Sequence, residues 1–341
     1  MKKLFILLTF GLAGVSAMYF NMACTTKSPS APNFQSPLQT IVAINPTLTA
    51  TFTFTPTPSF TNTPVITPTP FATNTPWIGF KNPQGIAFYS GGLFVADTGN
   101  NQVRKFTVNG GHVANWGVRG IVEVNAPQAV AVDGTGNLYV VGGISGVGKY
   151  NVSGSPTTQF TSKTFTNPQG VAVDGSGNIY VSDTTNNAIV ELSSAGVSMA
   201  SLPITAVGAV TLVAPYGIAV NSSGTTVAVA ASDNNIHLYS SIFSGTIITT
   251  IPGYPVSPPA FNFSVGVSMG GLAFDSSNNL YVADTGYHQI EEFAFNGLNS
   301  PPTNIFNGIN ALNSPTGVAV DGNGNIYVTD SINNNVVKFL P

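Results

Sequence analysis

The sequence predicts an all-β protein whose main body is a closed ring of six similar sheets, and three observations carry that expectation. The stretch from Asn167 to Leu192, NPQGVAVDGSGNIYVSDTTNNAIVEL, recurs to the C-terminus, with close copies starting at Asn82 and Ser314 and looser ones at Ala126, Ala214 and Ser268. Markers at the glycine of the P-x-G step fall at Gly85, Ala129 in its place, Gly170, Gly217, Gly271 and Gly317, giving intervals of 44, 41, 47, 54 and 46 residues. Each copy divides into three short runs rich in Val, Ile and Tyr, separated by Gly, Asn and Ser. Such runs between turn residues are strands joined by tight turns, and a period of about 40 to 50 residues with that content describes one blade of a β-propeller. Runs that are apolar at successive positions, such as Ile179, Tyr180 and Val181, suit a sheet covered on both faces by its neighbours.

Taken in order, residues 1–24 have the form of an export signal: Lys2 and Lys3 precede an apolar run from Leu4 to Phe20, followed by small and polar residues. Two processing readings stand side by side. Val15-Ser16-Ala17 offers small residues to a general signal peptidase, and Asn21-Met22-Ala23-Cys24 resembles a lipoprotein box, in which Cys24 would be acylated. Asn21 departs from the aliphatic residue that the box prefers. Cys24 is also the one cysteine of the chain, so no disulfide is available to the rest of the fold.

Residues 25–76 read as a stalk. No charged residue lies between Ser28 and Phe80, and Thr47 to Pro76 is a Thr-Pro tract. Proline removes backbone donors and favours polyproline II, and threonine offers too little apolar surface to offset the entropy of ordering, so no core is expected here. Fully extended, the segment would reach on the order of 160 Å.

Residues 77–341 form the expected propeller. Each repeat supplies three strands, and segments between repeats, such as His112 to Val118 and Thr158 to Phe165, are expected to supply the fourth. The last repeat has no following segment. Thr75 to Phe80 is therefore expected to pair with Val336 to Leu340 and close the ring.

The residues that recur carry a family resemblance. Pro168, Gly170, Val171, Ala172, Val173 and Asp174, then Gly177, Asn178, Ile179, Tyr180, Val181 and Asp183, then Asn186, Asn187 and Ile189 resemble the NHL repeat, over about 260 residues in six copies. The resemblance implies a six-bladed β-propeller with one four-stranded blade per repeat. It also implies a family used for protein, glycan or RNA contact, with some relatives acting as lyases or lactone hydrolases through axial metal ligands.

Composition narrows these options. Only 7% of residues are charged and the formal net charge is −3, so no basic field exists to displace counterions from a phosphate backbone, which argues against nucleic acid. All four glutamates (Glu123, Glu191, Glu291, Glu292) fall in outer or third strands, and His112, His237 and His288 fall in a fourth strand, a third strand and a turn of different blades, too scattered to share one ion. His288 takes a slot that is Asn in other copies, where a hydrogen bond to Asp284 is expected. The slot ending the second strand reads Asp97, Gly142, Asp183, Ala230, Asp284, Asp330. Its carboxylates are expected to accept hydrogen bonds within their own turns; were a cation bound, Asp97, Asp284 and Asp330 would form the best arc. A second acidic slot, Asp133, Asp174, Asp275 and Asp321, with Tyr89 and Asn221 in the other copies, is expected to be hairpin chemistry.

Two motif matches lose their meaning in context. Gly266-Val267-Ser268-Met269-Gly270 fits a nucleophile elbow but overlies the start of the fifth repeat. Gly143 to Lys149 approaches a phosphate-binding loop, yet Tyr150 replaces the metal-holding hydroxyl and the segment aligns with a third strand. What remains is an uncharged rim around the central opening, formed by Gln84, Gln128, Gln169, Tyr216 and Thr316, beside a Pro-rich insertion (Ile251 to Phe263) whose Tyr254 and Phe261 are candidate contacts. The functional expectation is a non-catalytic binding module with no catalytic residue and no cofactor, exported and lipid-anchored at the bacterial envelope or otherwise secreted. Its ligand would be an unknown protein or neutral glycan. A propeller enzyme of the lyase or lactonase type and a purely structural envelope protein are the alternatives.

Overall fold

Five of the six repeats begin their ladder at a proline and five turn at an Asx residue after the first strand, four of them doing both, and this local chemistry lays down the same sheet again and again. The computed structural model describes residues 39–42, 51–54, 79–160, 164–203, 214–233, 235–240, 247–252, 270–294, 302–306 and 312–341. The chain divides into two units, residues 1–61 and 62–341. In the first, Gln39–Val42 pairs antiparallel with Thr51–Phe54, in the register Gln39 to Phe54 through Val42 to Thr51. These strands lie within the segment read as a stalk, and the remainder of residues 1–61 lies outside the described residues.

The second unit is a six-bladed propeller of antiparallel sheets. Blade one comprises Pro83–Tyr89, Gly92–Asp97, Gln102–Thr107 and Ile121–Glu123. Blade two comprises Pro127–Val132, Leu138–Gly142, Ile144–Tyr150 and Pro156–Phe160. Blade three comprises Pro168–Val173, Ile179–Asp183, Ala188–Leu192 and Ser198–Pro203. Blade four comprises Pro215–Val220, Val227–Ala231, Asn235–Tyr239 and Ile247–Pro252. Blade five comprises Leu272–Phe274, Leu280–Asp284, Gln289–Phe293 and Asn304–Phe306. Blade six has three strands among the described residues, Pro315–Val320, Ile326–Asp330 and Asn335–Phe339.

Every second strand is buried along its whole length, because both of its faces meet a neighbouring blade. The core is accordingly a ring of separate inter-blade clusters. One joins Leu280, Val282 and Phe293 of blade five to Ala228, Ala230, Ile236 and Leu238 of blade four. Another joins Phe80, Ile86, Leu93, Val95 and Phe106 of blade one to Ala319, Tyr327 and Val336 of blade six, and so closes the ring. Thr75 to Ile78, most of the expected closing strand, lie outside the described residues. Phe80, from its end, is buried in the cluster that joins blades one and six, with its ring 5.2 Å from the Phe106 ring of blade one.

The outer strands depart most from expectation. In blade one the fourth strand is Ile121–Glu123 rather than His112 to Val118, and His112 makes only an isolated bridge to Phe106. The reason is local: Gly117, Arg119 and Gly120 all have positive φ, so the chain turns there before it can pair. In blade two the strand starts earlier than expected, at Pro156.

The acidic turn slot works as a reusable part. Asp133 Oδ1 accepts from the Thr135 and Asn137 amides, and its Oδ2 accepts from Asn137 Nδ2 and, at 3.0 Å, from the Tyr139 hydroxyl. Asp321 repeats this with Asn323, Asn325 and Tyr327. Blade four uses Asn221 instead, and its turn holds one more residue, pairing the Asn221 amide with the Thr226 carbonyl where the others span four positions. That extra residue shifts the strand: Ala231, not Ala230, stands opposite Pro215 in the place that Asp183 takes opposite Pro168.

Candidate functional site

Close approach of the six inner strands sets the shape of the axis. A Cβ on Gly85 would lie 2.7 Å from the Ala129 Cα, one on Gly271 2.6 Å from the Gly317 Cα, and one on Gly317 2.5 Å from the Gln84 carbonyl oxygen. Gly170 and Gly217 face the carbonyls of Tyr216 and Gly270 in the same way. The marker glycines thus let neighbouring backbones touch, and the opening they leave is narrow. It is a cavity of about 60 Å³ lined by those glycines, by aliphatic side chains such as Ile86, Val130, Val171, Ile218 and Val318, and by Gln128, Gln169 and Thr316. That volume admits a handful of waters and no sugar ring or peptide segment. A ligand larger than this has to sit on the mouth.

The structure separates the expected rim residues. Gln128 and Gln169 are half-buried and line the cavity. Thr316 also lines it but is only 2% exposed, and its hydroxyl donates to the Pro83 carbonyl oxygen at 3.0 Å, across the junction between the last and first blades. Gln84 is 5% exposed; its Nε2 donates to Asn82 Oδ1 at 3.2 Å, and its Oε1 has no hydrogen-bond partner. Tyr216 is half-buried, and its carbonyl accepts the Ser182 hydroxyl. Gln84 and Thr316 are therefore corrected from surface contacts to buried groups, because the ring packs the first turn of each inner strand under its neighbour. Tyr254 and Phe261 lie outside the described residues, as do Cys24 and the first four residues of the elbow-like motif.

The carboxylates that end the second strands accept hydrogen bonds both from their own turns, as expected, and from the backbone of the segment that enters the blade, which the sequence did not indicate. Asp97 accepts from the Lys81 amide, Asn100 Nδ2 and Gln102 Nε2, and Arg104 stands 3.8 Å away. Asp183 accepts from the Thr166 and Asn167 amides and Asn186 Nδ2. Asp330 accepts from the Asn313 and Ser314 amides and Asn333 Nδ2. Asp97, Asp284 and Asp330 do not converge, and no group of three or more His, Cys, Asp and Glu side chains comes together among the described residues. In three of these turns the next residue stitches the blades together: the Thr98, Thr184 and Thr285 hydroxyls each donate at 2.6 Å to the proline carbonyl that opens the following blade.

The histidines and the phosphate-loop match resolve into structure. His112 Nε2 lies 3.2 Å from the Gly120 carbonyl oxygen, in a loop rather than a fourth strand. His237 is fully buried in the third strand of blade four, its Nε2 2.9 Å from Asp233 Oδ2. His288 has φ 58°, as Asn101, Asn187 and Asn334 have φ 56°, 49° and 55°, so the slot selects residues that tolerate the left-handed region. The segment Ile144–Tyr150 is a third strand, and the Lys149 ammonium lies over the Tyr139 ring.

One buried group escaped sequence reasoning. Glu291, in the third strand of blade five, is 3% exposed; Oε1 accepts from Gln289 Nε2 at 2.8 Å and Oε2 has no hydrogen-bond partner. Burial and then the Asp284 charge push its carboxyl up to about 8, against the lowering effect of the Gln289 hydrogen bond. Its position in a third strand was legible, but its burial depends on the packing of blade four.

Comparison with known proteins agrees with this architecture. The NHL repeat family matches residues 80–106, 165–192 and 312–339, which are the first three strands of blades one, three and six with their leading residues. Among solved structures, a streptogramin B lyase superposes with a TM-score of 0.51 at 16% identity, covering 77% of this chain and 84% of that one. Virginiamycin B lyase from Staphylococcus aureus superposes with a TM-score of 0.50 at 14% identity, covering 76% and 85%. A comparison with curated protein sequences finds no match. The chain is an all-β, six-bladed propeller. It carries NHL repeats, and the two lyases share its fold.

Proposed function

We propose that the chain is an exported, envelope-tethered propeller that binds a protein or a neutral glycan, without catalysis, on the face around its central opening. One observation carries this reading: the side chains that reach the axis are amides, a hydroxyl and aliphatics, with Gln128 and Gln169 half-exposed beside the glycine ring. Amides supply paired donors and acceptors to neutral hydroxyl or peptide groups, and they supply no general acid, base or nucleophile. The Lys2-Lys3 and Leu4 to Phe20 run, Cys24 and the uncharged Thr-Pro segment support export and an acyl anchor that holds the propeller off a membrane.

The test is binding of the full chain on a glycan array and to immobilised envelope proteins, against a Gln128→Ala/Gln169→Ala variant. A ligand whose affinity drops about tenfold or more in the variant supports the reading. Silence on both platforms overturns it. A catalytic reading draws on the shared fold with streptogramin B lyases, and incubation with a streptogramin B antibiotic decides it: turnover seen by mass spectrometry would displace the non-catalytic proposal. For the anchor, Cys24→Ala should release the chain from the membrane fraction and abolish fatty-acid labelling.

A further inference from the structure

Glu191, in the third strand of blade three, is a second buried glutamate, at 1% exposed. It fills the register slot opposite the aromatic residue of the second strand. Blades one, two and six place a lysine in that slot, Lys105 opposite Phe94, Lys149 opposite Tyr139 and Lys338 opposite Tyr327, each ammonium lying over its partner ring at 4.9 to 5.3 Å. Blade three sets a carboxyl group beside Tyr180 instead. Blade five also has a glutamate there, Glu292 opposite Tyr281, but that side chain is half-buried and accepts from Asn304 Nδ2. Glu191 has no such donor.

The change alters a hydrogen count. In blades two and six the tyrosine hydroxyl donates to the turn aspartate at 3.0 Å. In blade three the Tyr180 hydroxyl stands 3.3 Å from Asp174 Oδ2 and 3.3 Å from Glu191 Oε1, so a single hydrogen faces two carboxyl oxygens. Asp174 already accepts from the Ser176 and Asn178 amides and from Asn178 Nδ2. Glu191 meets Tyr180 through Oε1, and its Oε2 is buried with no hydrogen-bond partner. Blade four closes this face, where Tyr180 packs with Ile218, Val227, Val229 and Tyr239. The ionisable groups of its described residues are Tyr216, Asp233, His237 and Tyr239. His237 pairs with Asp233 at 2.9 Å, and burial and then the Asp233 charge push the Tyr239 phenol up to about 12. The neighbouring fourth strand, Ser198–Pro203, has no ionisable side chain, and no Lys or Arg occurs between Lys163 and Lys338. No fixed cation of blade three or four therefore offsets a charge on Glu191.

We propose that Glu191 holds a proton in the folded chain under conditions where an exposed glutamate has lost it, and shares that proton with Asp174 through the Tyr180 hydroxyl. Glu191 Oε1–H donates to the phenol oxygen, and the phenol O–H donates to Asp174 Oδ2. The count then closes, and Oε2 is left as an uncharged oxygen, which costs less to bury unpaired than part of a carboxylate. Burial, together with the Asp174 charge, raises the Glu191 carboxyl against the lowering effect of the Tyr180 hydrogen bond. Burial and then the charges of Glu191 and Asp174 raise the phenol too, so Tyr180 keeps its own hydrogen. A folded-state value above the unfolded one gives stability that is fully present below about pH 4.3 and is lost as pH rises through the folded value. Ionisation of Glu191 places a charge in the interface of blades three and four, which makes that interface an alkali-sensitive contact of the ring.

The experiment takes the full chain at about pH 6, where exposed carboxyls are ionised, and records the infrared difference between the parent and Glu191→Gln. The expected result is a protonated-carboxyl C=O band in the parent that the substitution removes; Glu291 absorbs in both chains and cancels. Between about pH 5 and 9 the parent's thermal midpoint should fall more steeply than that of Glu191→Gln, with the curves parting by about 3 °C at the alkaline end. Absence of the band from the difference spectrum overturns the proposal, and so do parallel curves. If Glu191→Gln folds poorly, Tyr180→Phe decides on the same band, because it removes the phenol that shares the proton: a shifted band supports the proposal and an unmoved one overturns it.

Discussion

A carboxylate that accepts four or more hydrogen bonds is worth most when it is ionised, and Asp133 and Asp321 are in that position. Burial alone would raise their carboxyls; hydrogen bonds from Asn137 and Thr135, and from Asn325 and Asn323, outweigh it and hold both below the ordinary aspartate value. A folded-state value below the unfolded one adds stability that is present above the unfolded-state value of about 3.9 and is lost as pH falls through the depressed one. The thermal midpoint should therefore drop below about pH 4, and the slope should flatten in an Asp133→Asn/Asp321→Asn variant; a slope unchanged by these substitutions would show that other carboxylates carry acid lability. Asp321→Ala at neutral pH strands the Tyr327 hydroxyl and the Asn325 amide, so it should cost about 2 to 3 kcal/mol in denaturant unfolding. Burial and the same aspartates raise the phenols of Tyr139 and Tyr327, so neither ionises near neutrality.

Between residue and ring stands the inner strand, where glycine decides how near two blades come. Gly170→Ala pushes a methyl group onto the Tyr216 carbonyl, the Ser182 hydroxyl and Ile218 Cγ2, two of them on the next blade's backbone or core. A cost of about 1 to 3 kcal/mol should appear as an earlier denaturation midpoint, whereas Gly134→Ala, at a turn with open space around it, should stay within about 0.5 kcal/mol of the parent. At this scale the sequence was a good guide to some elements and silent on others, for physical reasons. First and second strands announce themselves because their turns use local chemistry, Asp174 with Asn178 or Asp183 with Asn186, that leaves a pattern in the chain. Fourth strands such as Ile121–Glu123 use no such signature, and their positions depend on where Gly117 and Gly120 turn the chain. Slot Ala230 was misplaced by one position because a single added turn residue before Val227 is invisible without the register. Among candidate site residues, Gln128 and Gln169 line the axial cavity, whereas the burial of Gln84 and Thr316 follows from blade-to-blade contact, which no local pattern encodes.

Closure of the whole ring rests on contacts between residues more than 230 positions apart. The Asn82 amide donates to Asn334 Oδ1 at 2.7 Å, Thr316 donates to the Pro83 carbonyl, and the Thr329 hydroxyl donates to the carbonyl of Gln84. Beneath them Phe80, Ile86 and Phe106 pack on Tyr327 and Val336. Each blade buries both faces of its sheet only while two neighbours are present, so stability is shared around the circle and no blade is a spare. A chain ending before Pro315 would uncover that cluster and also the one joining Tyr281, Ile290 and Phe306 to Val328 and Phe339. It should lose cooperative thermal unfolding and bind a hydrophobic dye, whereas the full chain should melt in one transition. Thr329→Val is the gentler probe of the same junction: it removes a buried donor and leaves the Gln84 carbonyl short of a partner, at a cost of about 1 to 3 kcal/mol. Were the truncated chain to melt as sharply as the full one, the blades would be stable as an open array, and the contacts that join last to first would be incidental to folding.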